Sequence, residues 1–243
     1  LESSDFLNQR VIIIGGSSGM GLAIAQACAK QEAEVVICGR SQEKLEKADR
    51  SIEGKIETAV LDISDETAVD AFFKGQDPFD HLITPGAEIS AGPFTHFPVE
   101  EAKRSFEIKF WGQYCAARSS LSKIRKGGSI IFFSGVYGRR PSPGVPNMAS
   151  INAAIEGLGR ALAVELGPSK IRVNVISPGL IHTPAIDTLP SPLKENMFQE
   201  FSEKTALKRI GLPEEAAQAA LYLMTNPYVT GTTLFIDGGY VLN

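Results

Sequence analysis

Short apolar, β-branched runs alternate along this chain with longer stretches of helical period. The runs fall at residues 11–14, 34–38, 56–61, 81–83, 129–133, 171–176 and 233–236. Between them, residues 21–30, 43–52, 65–73, about 99–124, about 147–166 and 213–224 carry apolar side chains at helix spacing. A strand that is apolar at nearly every position is covered on both faces, and strand–helix alternation makes successive strands parallel. The pattern therefore predicts an α/β fold: one Rossmann-like, doubly wound parallel sheet with helices on both faces. No repeat, low-complexity tract or linker interrupts it, so residues 1–243 read as one domain.

The stretch from about 181 to 210 departs from the alternation. It holds Pro184, Pro190 and Pro192, then a helical pattern, and it follows a strand end. Ligands of open α/β sheets bind beyond the carboxyl ends of the strands. The segment is expected to be a substrate lid, with Ile186, Leu189, Met197, Phe198 and Phe201 facing the ligand. The plainer alternative is a surface excursion.

Composition narrows the classes. The chain has 243 residues, 24 basic against 28 acidic, a net charge of −4 and 43% apolar content, which excludes a disordered or collagen-like polymer. Without a basic block it does not resemble a nucleic-acid binder. Its densest basic stretch, residues 123–126 before Gly127 and Gly128, reads as a solvated helix C-terminus. Cys28, Cys38 and Cys115 lie far apart, with no C-x-x-C pair and no histidine at metal-ligand spacing, so neither a disulfide framework nor a metal site is expected. The apolar run at 11–14 is too short for a signal segment or a membrane span. A cytoplasmic protein is expected.

The chemistry begins at Gly15, Ser17, Ser18, Gly19, Met20 and Gly21, a glycine turn between the first strand and the first helix. A pyrophosphate needs such a tight turn, close backbone approach and the free N–H groups of a helix start. No Gly-Lys-Ser/Thr follows, so a P-loop is excluded. After the second strand, where a carboxylate would select a free ribose 2′-hydroxyl, the chain has Cys38, Gly39, Arg40 and Ser41. A guanidinium suits a phosphate. NADP(H) is therefore favoured over NAD(H), the alternative being an exposed arginine at a helix start. Asp62, followed by Ile63, either accepts from the adenine amino group or caps a helix.

At this point the chain resembles the short-chain dehydrogenase/reductase family over essentially its whole length. The resemblance rests on Gly15-x-x-x-Gly19-x-Gly21, on Asp62 and Ile63, on residues 129–134, on the helix at 153–166, on residues 171–179 with Thr183, and on the ending at 230–239. It implies a nicotinamide-dependent oxidoreductase, a homotetramer or homodimer, with the nicotinamide held near Pro178, Gly179 and Thr183. At the family's catalytic positions the residues differ. Met148 stands at the tyrosine, Asn152 at the lysine, Gly135 at the serine and Lys109 at the asparagine, and Thr84–Ala87 replaces the Asn-Asn-Ala-Gly element. A thioether has no proton to give and glycine has no hydroxyl.

Lysine and asparagine have thus traded places. Lys109 is expected to take over ribose binding and electrostatic support of the oxyanion, oriented by Asn152. The alternatives are two unrelated drifts, or a Lys109 that simply reaches solvent. As replacement proton donors Tyr137 stands first and Lys109 second, with Glu88 and His182 behind them. His96, between Phe94 and Phe97, is expected to pack in its loop. The function expected is an NADP(H)-dependent oxidoreductase acting on a small carbonyl or alcohol through a non-standard site. A non-catalytic NADP(H)-binding sensor or partner subunit is the alternative, and a lyase or isomerase a third.

Overall fold

The computed structural model describes residues 6–85 and 90–243. The chain runs β1 (Arg10–Ile14), α1 (Gly19–Lys30), β2 (Glu34–Gly39), α2 (Gln42–Asp49), β3 (Ile56–Val60), α3 (Glu66–Lys74) and β4 (Phe79–Thr84). It continues through α4 (Val99–Phe106), a π-turn (Glu107–Trp111), α5 (Gly112–Ser120), β5 (Ile124–Phe133), α6 (Pro146–Leu166) and β6 (Arg172–Pro178). Two further helices, α7 (Pro184–Asp187) and α8 (Ser191–Lys204), then α9 (Pro213–Thr225) and β7 (Thr233–Ile236), complete it. The seven strands form one sheet in the order β3-β2-β1-β4-β5-β6-β7, every pairing parallel. This is the doubly wound Rossmann-like architecture expected from the hydrophobic pattern.

Side-chain alternation sorts the core into two layers. On β1, Val11 and Ile13 pack with α1, α2 and α9, through residues such as Ile24, Leu45 and Leu223. Ile12 and Ile14 pack on the other face with α3, α5 and α6, through Phe73, Ala117 and Ile155. Strand residues buried on both faces explain why the runs read as unbroken apolar segments. Truncating one of them, Ile12 for instance, costs about 2–5 kcal/mol.

The helix expected at about 99–124 is corrected in two places. Its first part is broken by the π-turn at Glu107–Trp111, and its end comes at Ser120. Residues 123–126 are not a helix terminus. Lys123 Nζ donates to the Gln76 carbonyl, Arg125 pairs with Asp80 at 2.7 Å, and Ile124 already belongs to β5. Gly127 and Gly128 read as a helix stop for a different physical reason. A Cβ on Gly128 would lie 2.2 Å from the Asp80 carbonyl oxygen, so glycine is what lets β5 close on the start of β4.

Because β1 pairs with both β2 and β4, the chain leaves the sheet centre in two directions, opening a crevice at the carboxyl ends of the strands. The glycine turn, the loop after β5, the start of α6 and helices α7 and α8 all lie at that end. Pro184 and Pro192 sit in the first turns of α7 and α8, where a missing N–H costs nothing. The three cysteines are free; burial pushes the Cys28 thiol up to about 12 and raises Cys38 as well. Among the described residues no helix is long and apolar enough to cross a membrane, and no His/Cys/Asp/Glu cluster suits a metal.

Candidate active site

The glycine turn is built from backbone. Gly15 and Gly16 N–H both donate to the Cys38 carbonyl, at 2.8 and 3.2 Å, which ties the turn to the end of β2. Gly19 has φ 53°, a left-handed conformation that glycine adopts without strain. A Cβ on Gly21 would stand 2.1 Å from the Gly15 carbonyl oxygen, so α1 packs against the turn only because that Cβ is missing. Ser18, the N-cap of α1, makes no side-chain capping bond, which leaves the first amides of the helix open to an anion. Met20 is half-buried against the core beneath.

Other residues singled out in the sequence lie at or beyond the carboxyl ends of β1, β2, β3 and β6. The Ser17 hydroxyl lies against Gly39, and Thr183, just before α7, lies against Gly19. Arg40 is exposed beside Asp62, whose carboxyl it helps to hold below the usual range, after the larger effect of hydrogen bonds from Ser64. The helix-cap reading of Asp62 is corrected: Asp65 caps α3 by accepting from Ala68 N–H at 3.0 Å, while Asp62 accepts from the Ser64 amide and hydroxyl. Ile63 packs against Gly112 at the start of α5, and Pro178 and Gly179 end β6, with Gly179 against Asp237 and Phe201.

The second cluster is built from side chains. Lys109 is buried within the π-turn; its Nζ donates to the Ser134 carbonyl at 2.9 Å and to Asn152 Oδ1 at 2.8 Å. Burial pulls the Lys109 ammonium down to about 8. The alternative in which Lys109 reaches solvent is therefore overturned. An ammonium carries three donors, of which these two bonds use all but one. Asn152, also buried, spends its carbonyl on Lys109, while its amide nitrogen makes no hydrogen bond to a described residue. Gly135 belongs to the same packing. A Cβ there would lie 3.0 Å from Asn152 Nδ2, so the asparagine amide fills the space a residue 135 side chain would need.

The remaining candidates are dispersed. Tyr137 packs edge-on against Tyr240 at 6.4 Å, in an apolar cluster with Val136 and Phe201 of α8. Burial raises its phenol, with Tyr240 and Glu200 adding to the shift. Met148 is half-buried in the first turn of α6. His182 is held against α7 and α8, its Nε2 3.0 Å from Asp187 Oδ1 and its ring edge-on to Phe198. His96 is exposed, its ring bonding Thr95 and its N–H donating to the Pro93 carbonyl; it is not packed in its loop as expected, because Phe94 beside it also stands in solvent, 84% exposed. Gly86, Ala87 and Glu88 lie outside the described residues.

Two participants escaped the sequence reading. Gln113, on α5, is buried and donates to the Lys109 carbonyl; its place four residues after Lys109, on the same helix face, is the only local signal. Glu156, one turn after Asn152 on α6, accepts from the Ser134 hydroxyl at 3.2 Å, and burial raises its carboxyl.

Residues 15–241 match the family model described as enoyl-(acyl carrier protein) reductase. The chain is 31% identical to the 3-oxoacyl-[acyl-carrier-protein] reductase FabG of Chlamydia muridarum, over 98% of this chain and 99% of that one. Among solved structures it is similar to a small-chain dehydrogenase in complex with NADPH, at 33% identity and TM-score 0.82, covering 97% of this chain and 99% of that one. It is also similar to L-sorbose reductase from Gluconobacter frateurii complexed with NADPH and L-sorbose, at 26% identity and TM-score 0.92, over 100% of both chains. A glycine turn opening onto a switch point in a seven-stranded parallel sheet, matched end to end in this way, establishes that the chain belongs to the short-chain dehydrogenase/reductase family.

Proposed function

We propose that this protein is an NADP(H)-dependent oxidoreductase interconverting a small carbonyl compound and its alcohol, with Lys109 delivering the proton that the family's tyrosine delivers elsewhere. The observation that carries the reading is the buried Lys109 ammonium, fixed by Ser134 and Asn152 and pulled down to about 8. In this reading Met148, Asn152, Gly135 and Lys109 occupy the positions of the usual tyrosine, lysine, serine and asparagine.

The residues present fit a dinucleotide. The uncapped start of α1 and the Cβ-free approach at Gly21 form a cradle for a pyrophosphate, lined by Gly15, Ser17, Ser18, Gly19 and Met20. Arg40 meets a 2′-phosphate through its exposed guanidinium, Asp62 and Ile63 border the adenine, and Pro178, Gly179 and Thr183 border the nicotinamide. NADP(H), when bound, supplies or accepts the hydride.

The chain supplies the proton and the charge. A substrate carbonyl oxygen takes the third N–H of Lys109 and the free amide of Asn152 as donors. With Lys109 near 8, most of the amine is protonated at neutral pH and gives up its proton far more readily than an exposed lysine. In reduction the oxygen takes a proton from Nζ, and the neutral amine regains one from solvent; in oxidation the neutral amine accepts the hydroxyl proton. Tyr137 serves as a wall against the lid at about 181–210 rather than as an acid. Exposed Trp111 and Val164 suit a homodimer or homotetramer, and the cytoplasm is the compartment we assign.

Fluorescence titration tests the first half: NADPH binds more tightly than NADH, and equal affinity overturns the role of Arg40. A panel of aldehydes, ketones and alcohols tests the second by cofactor turnover. One class turns over in the wild type and stalls in Lys109→Met. Normal NADPH binding with no turnover on any class supports instead a non-catalytic sensor or partner subunit.

A further inference from the structure

We propose that Gln113 is a positioning residue that locks the π-turn and thereby holds Lys109 Nζ against Ser134 and Asn152; the inference rests on the reading of Lys109 as proton donor. Gln113 is 3% exposed, and both ends of its amide are fully used. Its Oε1 accepts from Thr84 Oγ1 at 2.7 Å and from Phe133 N–H at 2.9 Å. Its Nε2 donates to the Lys109 carbonyl at 2.8 Å and to the Phe133 carbonyl at 3.1 Å. One side chain therefore ties the ends of β4 and β5 to the turn that carries Lys109.

The turn needs such a tie. In an α-helix the carbonyl of residue 109 is taken by the backbone N–H four residues on. Here the ladder has slipped: Gly112 N–H donates five residues back, to the Glu107 carbonyl. Within this slipped stretch the Lys109 carbonyl receives the side-chain amide of residue 113. Relaxation to a plain α-helix would turn residue 109 by about 100° against the residues beyond it. The ammonium would then leave Ser134 and Asn152 and lose the burial that depresses it.

The test is an NMR titration of the full-length chain with NADP⁺ bound, with lysines labelled at Cε and the Lys109 signal assigned by its loss in Lys109→Arg. In the wild type Lys109 titrates near 8; in Gln113→Leu it moves up by more than one unit toward the ordinary lysine value near 10.4. The kcat falls at least about tenfold on the same change, and NADPH binding survives. Thr84→Val, which removes only one bond to Gln113, shifts the titration in the same direction by less and serves where Gln113→Leu folds poorly. Lys109 titrating near 8 in both variants, with kcat retained, overturns the positioning role. Lys109 titrating near 8 in a wild type that turns over no substrate would instead remove the oxidoreductase reading, while the NMR comparison still decides the role of Gln113.

Discussion

The glycine turn and the Lys109 centre occupy the same end of one sheet but are built from different materials. The turn is backbone: its contacts are amide nitrogens, a carbonyl and the absence of two Cβ atoms. The Lys109 centre is side chain: an ammonium from the π-turn, an amide from α6 and a second amide from α5, each meeting a partner far along the sequence. A backbone site has few ways to change, since any Cβ at Gly21 meets a carbonyl. A side-chain site can trade members between helices provided the packing trades with them, and in the proposed reading lysine and asparagine have done so here. Gly135 leaves the space that the Asn152 amide fills.

The comparison breaks most visibly at Lys109. Lys109→Met is expected to lower kcat by about 10²–10⁴-fold, roughly 3–5 kcal/mol at the barrier, with NADPH binding largely kept. Steady-state kinetics beside a binding titration separate the two effects; a parallel loss of both would merge the regions into one. Gly21→Ala is the reverse experiment. It is expected to weaken NADPH binding by roughly 10–100-fold, as 1–3 kcal/mol of backbone strain would, and to leave the Lys109 titration in place.

A finer break lies inside the Lys109 centre. Gly135→Ser would place a hydroxyl at the position that the proposed reading gives to the family serine, yet its Cβ meets Asn152 Nδ2 at 3.0 Å and is expected to lower activity. In an Asn152→Ala background the same change should be nearly harmless. A double-mutant cycle then reads a coupling of about 0.5–3 kcal/mol, and additivity would return the exchange to unrelated drift. The smallest effect is expected at Arg40. Arg40→Ala should cut the preference for NADPH over NADH by about tenfold, roughly 1.4 kcal/mol, in a titration with both cofactors.

The same difference in materials governs what the sequence reveals. The parallel sheet was legible because strands buried on both faces leave unbroken apolar runs, and the turn because only glycine satisfies its geometry. The proposed exchange of Lys109 and Asn152 was readable by position, but their direct contact was not, since it joins residues on α6 and the π-turn through tertiary packing. Nor was the π-turn itself: a helical period runs through residues 99–120 without marking the slipped ladder. The end of that helix was misread because glycines at 127 and 128 serve equally as a helix stop and as a close strand approach. His96 was misread because aromatic neighbours suggest packing, whereas Phe94 lies in solvent.

The central claim, that Lys109 is the proton donor, is tested most directly by the pH dependence of kcat for carbonyl reduction. Burial lowers the folded-state titration of Lys109 to about 8, so the protonated donor is present below that pH and lost above it. Reduction should therefore fall tenfold per unit above about pH 8, and alcohol oxidation should rise through the same midpoint. Lys109→Met should lack that limb in both directions. A wild-type profile unchanged through this range, or the same limb persisting in Lys109→Met, would contradict the account.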